Sequence, residues 1–403
     1  MISVEEALER IIRAFSPLPT EWVHLPAALN RVLASDLVAD RDQPPRAVSA
    51  MDGYAVRAAD LEDGEATLEL IGEARAGGHF EGVVGPGQTV RIFTGGPLPA
   101  GADAIAIQEN ATREGTKVHI RGQVEPGRFV RPAGLDFRKG EIGLAAGTWL
   151  GPRALGLAAA MNQAWLPVRR SPRIGILATG EELVMPGGAL GPDQIVNSNS
   201  ITLAAMLRRW GAVSVDLGIV RDEPKALGEL AERLRGLDLV VTLGGASVGE
   251  RDLVRAVLGE QGLELDFWQI AMRPGKPLLF GRIRGVPLLG LPGNPVSAGV
   301  CAVLFLRAIV RVSLGLDPAP PEAPAVLARN LGPNDRREEF LRATMKWSAQ
   351  GHLVADPATR QDSSMFALFA RADCLIRRPP FAPAMPAGTT VTILRLGPGP
   401  IDV

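Results

Sequence analysis

Apolar residues recur with helical spacing at the start of the chain and with the shorter spacing of strands further along. Residues 3–15 carry one helical stripe, and Ser3 with Glu6 has the pattern of a capping box, so a helix is predicted there. From 44 to about 147, short apolar runs separated by glycine-rich turns predict a β-rich domain. Residues 150–162 return to a helical pattern. The predicted strands of the β-rich region are 67–71, 89–93, 104–108 and 117–120, and the stripe of the first helix is Val4, Leu8, Ile11 and Phe15.

Residues 171–316 alternate between short apolar strands and helices, which is typical of a parallel sheet covered by helices on both faces. Strands are predicted over 173–178, 213–219, 237–243 and 287–291. Helices are predicted over 200–210, 222–234 and 250–258, and a long one follows the Pro-Gly-Asn-Pro turn and ends near Ser313. The proline-rich segment 317–324 predicts a linker, and residues 325–403 predict a small β domain.

Composition excludes several classes of protein. The 403 residues include 43 Lys and Arg against 44 Asp and Glu, and a net charge of -1 argues against a protein that coats nucleic acid. Two cysteines are too few for a disulfide scaffold or a cysteine-rich zinc site, and the four histidines lack metal-ligand spacing. The longest apolar run, 299–312, contains Arg307 and Arg311 and is too short to span a bilayer. With no signal-peptide pattern at the start, we expect a cytoplasmic protein without membrane contact.

Three loops that follow predicted strands hold the candidate binding residues of the α/β region. In a doubly wound sheet, ligands lie at the carboxyl ends of the strands, so these loops are expected to converge. The second loop resembles a phosphate cradle because its small residues let backbone N–H groups approach an anion. An ordinary tight turn between strand and helix is the alternative. The loops comprise residues 178–182, 244–252 and 291–297.

Charged residues near these loops have two interpretations each. Asp252, in the first turn of a predicted helix, either stabilises the helix dipole or binds magnesium beside a phosphate. Asp222 precedes a Glu-Pro helix start, which favours an N-cap over a metal ligand. Arg273 and Lys276 lie three residues apart in a rigid Pro/Gly turn, which suits either an oxyanion or a solvated surface.

The β-rich region contributes further candidates. Asp52 lies between a methionine and a glycine just before a strand, and is either an active-site acid or a turn residue. Residues 93–99 form an extended turn of the same kind. Asp136 lies within a basic cluster that faces either an anionic ligand or only solvent. The members of that cluster are Arg128, Arg131, Arg138 and Lys139.

Eight motifs in one order across nearly the whole chain resemble those of the molybdopterin molybdenumtransferase family, which comprises bacterial MoeA and the E domains of gephyrin and of its plant counterparts. Each motif alone is modest, and the common order and spacing make the resemblance specific. The motifs are SAMDGYAVRAAD (49–60), IFTGGPLPAGADAIAIQE (92–109), VRPAGLDF (130–137), ILATGEEL (176–183), GIVRDEP (218–224), VVTLGGASVGERD (240–252), RPGKP (273–277) and LPGNPVSA (291–298).

This resemblance implies an α/β multidomain fold. Its parts are a parallel-sheet α/β core domain, a β-rich lid domain, a helical and extended connecting domain and a small C-terminal β domain. The implied boundaries are 1–43 with 138–170 for connecting domain I, 44–137 for lid domain II, 171–316 for pterin-binding domain III and 317–403 for domain IV. The family also implies a homodimer with an active site shared between subunits, so that Asp52 would act across the dimer.

The implied reaction is insertion of molybdate into adenylylated molybdopterin with release of AMP, assisted by Mg²⁺. Two oxyanions must be held close together, which calls for fixed cations and a metal to offset their repulsion. Asp222 and Asp252 would bind the metal and act, with Asp52 and Asp136, as catalytic acids. The expected partners are the pterin substrate, the second subunit and, transiently, the adenylylating enzyme. The expected substrate-binding residues are Thr94, Arg131, Glu182, Gly244, Gly245, Ser247, Arg273, Lys276, Pro277, Pro292, Asn294, Pro295, Ser297, Arg342, Ser363 and Ser364.

The sequence departs from the usual bacterial pattern of the family. Leu135 and Asn197 lie where the family usually has an acid, and Ser200 and Gln269 lie where it usually has a basic residue. Glu181 replaces an aspartate, and Arg273 replaces a lysine. The principal acids and Lys276 are retained, which favours an enzyme. The alternative is a binding protein or assembly scaffold that holds the pterin without converting it.

Overall fold

The computed structural model describes residues 1–220, 233–244 and 262–397, and the chain divides into two compact units. The α/β unit comprises Met1–Ala34, Trp149–Pro152 and Trp165–Val403, and the β unit comprises Ser35–Thr148 and Arg153–Ala164. The described α-helices are α1 Val4–Arg13, α2 Pro152–Ala160, α3 Ser198–Arg209, α4 Pro295–Cys301, α5 Arg307–Ser313 and α6 Phe366–Ala370. A π-helical segment, Ala302–Leu306, joins α4 to α5, and short 3-10 helices span Leu25–Ala28, Ala58–Leu61 and Gln108–Asn110.

Short strands supply most of the remaining regular structure. In chain order they are β1 Thr20–His24, β2 Leu37–Val38, β3 Val48–Ser49, β4 Gly53–Val56, β5 Glu65–Ala74, β6 Gln88–Ile92, β7 Ala104–Ile107, β8 Ala111–Glu114, β9 Lys117–Arg121, β10 Val130–Arg131, β11 Ile142–Leu144, β12 Trp165–Arg169 and β13 Arg173–Thr179. They continue with β14 Leu183–Val184, β15 Ile195–Val196, β16 Val213–Val220, β17 Leu239–Leu243, β18 Leu263–Trp268, β19 Met272–Arg273, β20 Leu279–Ile283, β21 Val286–Leu291, β22 Glu322–Leu327, β23 Glu338–Trp347, β24 Leu353–Pro357, β25 Cys374–Arg378 and β26 Thr390–Arg395. Every strand that the sequence predicts is present, with small shifts of its ends.

A mixed sheet forms the centre of the α/β unit. Its described strands lie in the order β16–β13–β17–β21–β20–β18; the first four are parallel, β20 runs antiparallel to β21, and β18 runs antiparallel to β20. All five residues of β17 are buried, as expected for a parallel strand covered on both faces. The predicted parallel sheet is confirmed for the first four strands, but the sequence pattern does not predict β18 and β20. The turn from β20 to β21 consists of Arg284 and Gly285, both at positive φ, which suits the twist of a two-residue hairpin.

The predicted helices are confirmed where the structure describes them. α1 begins after Ser3, whose hydroxyl oxygen accepts the Glu6 N–H at 3.0 Å. The Glu6 carboxylate pairs with Arg10 at 2.6 Å, so only one half of the predicted capping box forms. The predicted helix 250–258 and nearly all of 222–234 lie outside the described residues.

The segment Pro295–Ser313 is the core helix of the α/β unit. It has 19 residues with a mean hydropathy of 1.8, enough by length and composition to cross a membrane. It is longer than the apolar run 299–312, which the sequence analysis predicts to be too short to span a bilayer. Because 83% of that window is buried inside the protein, it resembles the core helix of a globular fold. Gly299 allows α6 to pack against it, since a Cβ there would lie 2.5 Å from the ring of Phe369.

The C-terminal strands close into a small barrel. β23 pairs with β24 on one edge and with β25 on the other, and β22 and β26 complete the ring. Leu341, Ala343 and Ile376 are among the buried apolar residues that fill it. The predicted C-terminal β domain is confirmed, although β22 begins at Glu322, within the predicted linker 317–324.

The β unit is built on a second mixed sheet. Its described strands lie in the order β7–β4–β6–β5–β9–β8, and β5 runs parallel to β6. Tyr54 and Val56 of β4 belong to one apolar cluster and Ala55 to another, so both faces of this strand are buried. Gly53 lies against the carbonyl of Ala106, where a side chain would clash. The predicted β-rich region is therefore confirmed.

We expect Phe305→Ala to lower the free energy of unfolding of the α/β unit by about 3–5 kcal/mol, because Phe305 is fully buried in the core helix. Urea denaturation followed by tryptophan fluorescence measures this loss. Phe381 is 75% exposed, so the control Phe381→Ala should change the stability by less than about 0.5 kcal/mol. Equal losses in the two variants would contradict the assigned core.

Candidate functional site

The carboxyl ends of three parallel strands border a cavity of about 840 Å³, called here the main cavity. β13 ends at Thr179, β17 at Leu243 and β21 at Leu291, so the loops predicted to converge do so where they are described. All of its lining residues belong to the α/β unit. The predicted site residues in its wall are Glu182, Gly244, Arg273, Lys276, Pro277, Pro292, Asn294, Pro295, Ser297, Ser363 and Ser364.

Gly244 holds these strand ends together. Its φ is 89°, and its N–H donates to the carbonyl of Leu291 at 3.2 Å. A Cβ at this position would lie 2.8 Å from the carbonyl oxygen of Thr179, whose hydroxyl donates to Leu243 at 3.2 Å. Only glycine fits this close approach without strain, and its bare backbone lines the cavity.

The N-terminus of the core helix forms another part of the wall. Pro295 is the first helical residue, and the side chain of the N-cap residue Asn294 donates to the hydroxyl oxygen of Ser363 at 3.0 Å rather than capping its own helix. The Ser363 carbonyl accepts the Val296 N–H at 3.2 Å. The partial positive charge of the helix terminus therefore lies at the cavity, with Ser297, only 5% exposed, in the first turn.

Two of the three basic residues in the described wall are already paired. Arg273 pairs with Glu339, and its other terminal nitrogen lies 3.8 Å from the Asp335 carboxylate. Arg337, which the sequence does not predict, donates to Asp335 at 2.7 Å and holds the pKa of that carboxyl at about 2. Lys276 forms no ion pair within the part of the chain that the structure describes, so its ammonium group is the cation left for a ligand.

The turn over 273–277 is held from several sides. β19 leads into it and pairs in parallel with the start of β23. Gly275 has a φ of 111°, and a Cβ there would lie 2.5 Å from the buried sulfur of Cys301. The Lys276 carbonyl accepts the N–H of Leu278 at 3.1 Å. The backbone of the cationic turn is therefore preorganised before any ligand binds.

Arg342 lies behind the wall of the main cavity. It is 1% exposed, and burial lowers its pKa to about 10. Its Nη2 donates to the carbonyl of Asp362 at 3.0 Å. The Asp362 carboxylate accepts the hydroxyl and the N–H of Ser364 at 2.6 and 2.8 Å, which lowers the pKa of the carboxyl group. Arg342 thus supports the loop that carries Ser363 and Ser364 and is not among the residues that line the main cavity.

The main cavity also contains polar residues that the sequence reasoning did not select. Asn199 donates to the carbonyl of Gly293 at 2.7 Å. Asn197 caps α3 by accepting the Ser200 N–H at 3.2 Å and donates to the Ser200 hydroxyl at 2.9 Å. Asn197 and Ser200, at two positions where the chain departs from the family pattern, therefore form one neutral hydrogen-bonded pair. The unselected polar lining residues are Thr179, Asn197, Ser198, Asn199, Arg337, Gln361 and Asp362.

The sequence pattern around some of these residues could have indicated that they lie near the cavity. Asn197 is an N-cap residue type before a helical pattern, and Gln361 and Asp362 directly precede the predicted Ser363. Arg337 belongs to no motif, and only the pairing of β19 with β23 brings it near the cavity.

The described residues alone do not form a magnesium site. Glu182 and Asp362 are the acids in the described wall, and no group of three or more His, Cys, Asp or Glu within the described ranges could hold a metal ion. The predicted ligands Asp222 and Asp252 lie outside the described residues, as do Gly245 and Ser247. Magnesium binding therefore stays a prediction.

In the β unit, Asp52 and Thr94 contact each other. One Asp52 carboxylate oxygen accepts the Thr94 N–H at 2.7 Å and the Thr94 hydroxyl at 2.8 Å. These bonds, with a smaller contribution from Arg91, lower the pKa of the Asp52 carboxyl group. The Arg91 guanidinium is itself placed over the rings of Tyr54 and Phe93, at 5.0 and 4.9 Å from their centroids.

Arg131 and Asp136 line a separate cavity of about 530 Å³ in the β unit. The Asp136 N–H donates to the carbonyl of Gln43 at 2.9 Å, which fixes the backbone of this loop. Asp52 and Thr94 do not line that cavity. The four residues predicted in the β-rich region are therefore placed as two pairs.

Family models match most of the chain. A model described as the MoeA N-terminal region, domains I and II, matches residues 2–162, a probable molybdopterin binding domain matches 175–311, and the MoeA C-terminal region, domain IV, matches 324–396. A molybdopterin molybdenumtransferase of Haemophilus influenzae is 34% identical over 399 residues, covering 98% of each chain. One from Bacillus subtilis is 34% identical over 404 residues, covering 98% of this chain and 94% of the relative.

The fold is similar over the same length. The crystal structure of the molybdopterin biosynthesis MoeA protein from Pyrococcus horikosii superposes with a TM-score of 0.85 at 30% identity, covering 98% of this chain and 99% of that one. Sequence models, full-length relatives and three-dimensional structure agree. The chain belongs to the MoeA family.

Proposed function

We propose that this protein is a molybdopterin molybdenumtransferase that inserts molybdate into adenylylated molybdopterin and releases AMP. A transferase role in molybdenum cofactor biosynthesis is supported by the names of the full-length relatives. The observation that carries the proposal is the composition of the main cavity, where Lys276, which has no ion-pair partner among the described residues, lines the same wall as a helix N-terminus and a strand-end glycine.

Molybdate would bind between Lys276 and the first turn of the core helix. The ammonium group and the helix terminus supply positive charge that is fixed in place before binding, and this charge would offset the repulsion between two neighbouring oxyanions. The hydroxyl of Ser297 and the ring of Pro277 would complete this end of the cavity. Arg273 would act mainly on the shape of the turn, since Glu339 takes up its charge.

The phosphate portion of the pterin substrate would lie along the open backbone at Gly244. A strand end without a side chain lets N–H groups approach an anion closely. Gly245 and Ser247, which lie outside the described residues, would extend the same surface by family resemblance.

The sulfur ligands of molybdenum would come from the substrate itself. Both cysteines of the chain are buried and free. Burial raises the pKa of Cys301 well above its usual range and that of Cys374 to about 12, so neither thiol is prepared to ligate a metal. A dithiolene on the pterin would remove the need for protein thiolates.

Asp222 and Asp252 would hold Mg²⁺ by family resemblance, and the ion would offset the charge of the pyrophosphate when bound. Asp52 and Asp136 would contribute acids from a second subunit, in a cytoplasmic homodimer that receives its substrate from the adenylylating enzyme. The lowered pKa of the Asp52 carboxyl group fits a role toward a cation or a hydrogen-bond donor rather than as a proton donor.

We expect Lys276→Ala to raise the molybdate concentration for half-maximal AMP release at least about tenfold, because it removes the one basic residue of the described cavity wall that has no described ion-pair partner. AMP release from adenylylated molybdopterin at increasing molybdate measures the effect. Lys346→Ala, at an exposed lysine on β23, is the matched control and should behave as the wild type. An unchanged molybdate dependence in Lys276→Ala would remove this residue from the site, and pterin binding without AMP release by the wild type would favour a scaffold.

We expect Asp252→Asn to retain pterin binding and to lose turnover that depends on Mg²⁺, because the substitution removes a carboxylate charge suited to that ion. Turnover is measured against Mg²⁺ concentration, with EDTA to remove the metal. Asp63→Asn, at an exposed residue of the β unit, is the control. Magnesium dependence equal to that of the wild type would exclude Asp252 as a ligand.

A further inference from the structure

We propose that Gln361 is a positioning residue for the oxyanion end of the main cavity. The proposal rests on the function proposed above, and it concerns how the loop 361–364 of the C-terminal barrel is held against the core helix. Gln361 belongs to none of the motifs that carry the family resemblance, and its side chain uses its hydrogen-bonding capacity on backbone groups.

The Gln361 side chain makes three hydrogen bonds to backbone groups. Its Oε1 accepts the Arg342 N–H at 3.0 Å, and its Nε2 donates to the Arg342 carbonyl at 3.0 Å. The same Nε2 donates to the carbonyl of Ala358, also at 3.0 Å. An amide group offers a donor and an acceptor in the arrangement of a peptide group, so it can pair with both polar groups of Arg342 at once.

The Gln361 amide lies at the edge of β23 where its pairing with β24 ends. β23 pairs with β24 from Trp347 as far as Ala343, which lies opposite Pro357. Beyond that pair β24 has ended, and the Arg342 N–H donates to the Gln361 side chain. The Arg342 carbonyl accepts the Ala358 N–H at 3.0 Å as well as the Gln361 amide, so the side chain extends the pairing by one residue and ties the following loop to the barrel.

The loop fixed in this way reaches the helix terminus two residues later. The Ser363 carbonyl accepts the Val296 N–H, and the Ser363 hydroxyl accepts the Asn294 side chain. Ser363 therefore supplies the bonds that the N-cap residue does not make to its own helix. Because Ser297 follows in the same turn, the position of Gln361 sets how the helix N-terminus is presented to an anion.

The test is direct binding of molybdate alone to the full-length protein, measured by calorimetry, with AMP alone as a second probe. We expect Gln361→Met, which keeps the length of the side chain but not its hydrogen bonds, to weaken molybdate binding about tenfold and to leave AMP binding within about twofold of the wild type. Gln361→Asn keeps the amide and the net charge but is one carbon shorter and cannot reach both groups of Arg342, so it should also weaken molybdate binding, and it tests the proposal if the Met variant does not fold. Gln123→Met is the control, since Gln123 donates one bond to the backbone of Glu62 in the β unit.

Selective loss of molybdate affinity with unchanged AMP affinity would support the positioning role. A lower melting temperature with unchanged molybdate affinity, or equal weakening of both probes, would overturn it, because a merely structural residue would behave in that way. Failure of the wild type to bind molybdate would also overturn it. Molybdate binding by the wild type without AMP release from adenylylated molybdopterin would overturn the transferase function and leave the positioning role standing.

Discussion

The attachment of the 361–364 loop to the first turn of the core helix is the constraint on which the main cavity depends. The helix is apolar and buried along most of its length, so its unpaired N–H groups are concentrated at one end. Pro295 contributes no donor, Asn294 turns away to Ser363, and the Ser363 carbonyl accepts the Val296 N–H. One end of the α/β core is thus completed by a loop from the C-terminal barrel, and the cavity includes residues of both.

Two of the basic residues in the described wall of the main cavity form ion pairs that hold the fold, and Lys276 is left to bind a ligand. Arg273 and Arg337 share the carboxylates of Glu339 and Asp335, which fixes the barrel edge against the cationic turn. Lys276, whose backbone that turn holds in place, has no such partner among the described residues. Among the described residues, the cavity thus presents one available positive charge and a helix terminus, which suits the binding of an oxyanion.

The β unit carries its own preorganised acid. The Asp52 carboxylate is held by two donors from Thr94, which lower its pKa, while Arg91 is occupied by two aromatic rings and contributes less to it. The loop of Asp136 is fixed separately by the backbone of Gln43. The carboxylate of Asp52 and the backbone of Asp136 are therefore each held by contacts within the β unit.

The local pattern of the chain determined the strands predicted from it, the N-cap of α1, the run of the core helix and the three glycine- and proline-rich loops, because each depends on neighbouring residues. The eight ordered motifs were sufficient to predict the family. Only the tertiary structure decided that Arg342 does not line the main cavity, that Arg273 is paired while Lys276 has no ion-pair partner among the described residues, and that Gln361 extends the pairing at the edge of β23. These outcomes depend on which segments, distant in sequence, satisfy one another's buried charges and backbone groups, and local spacing carries no information about that choice.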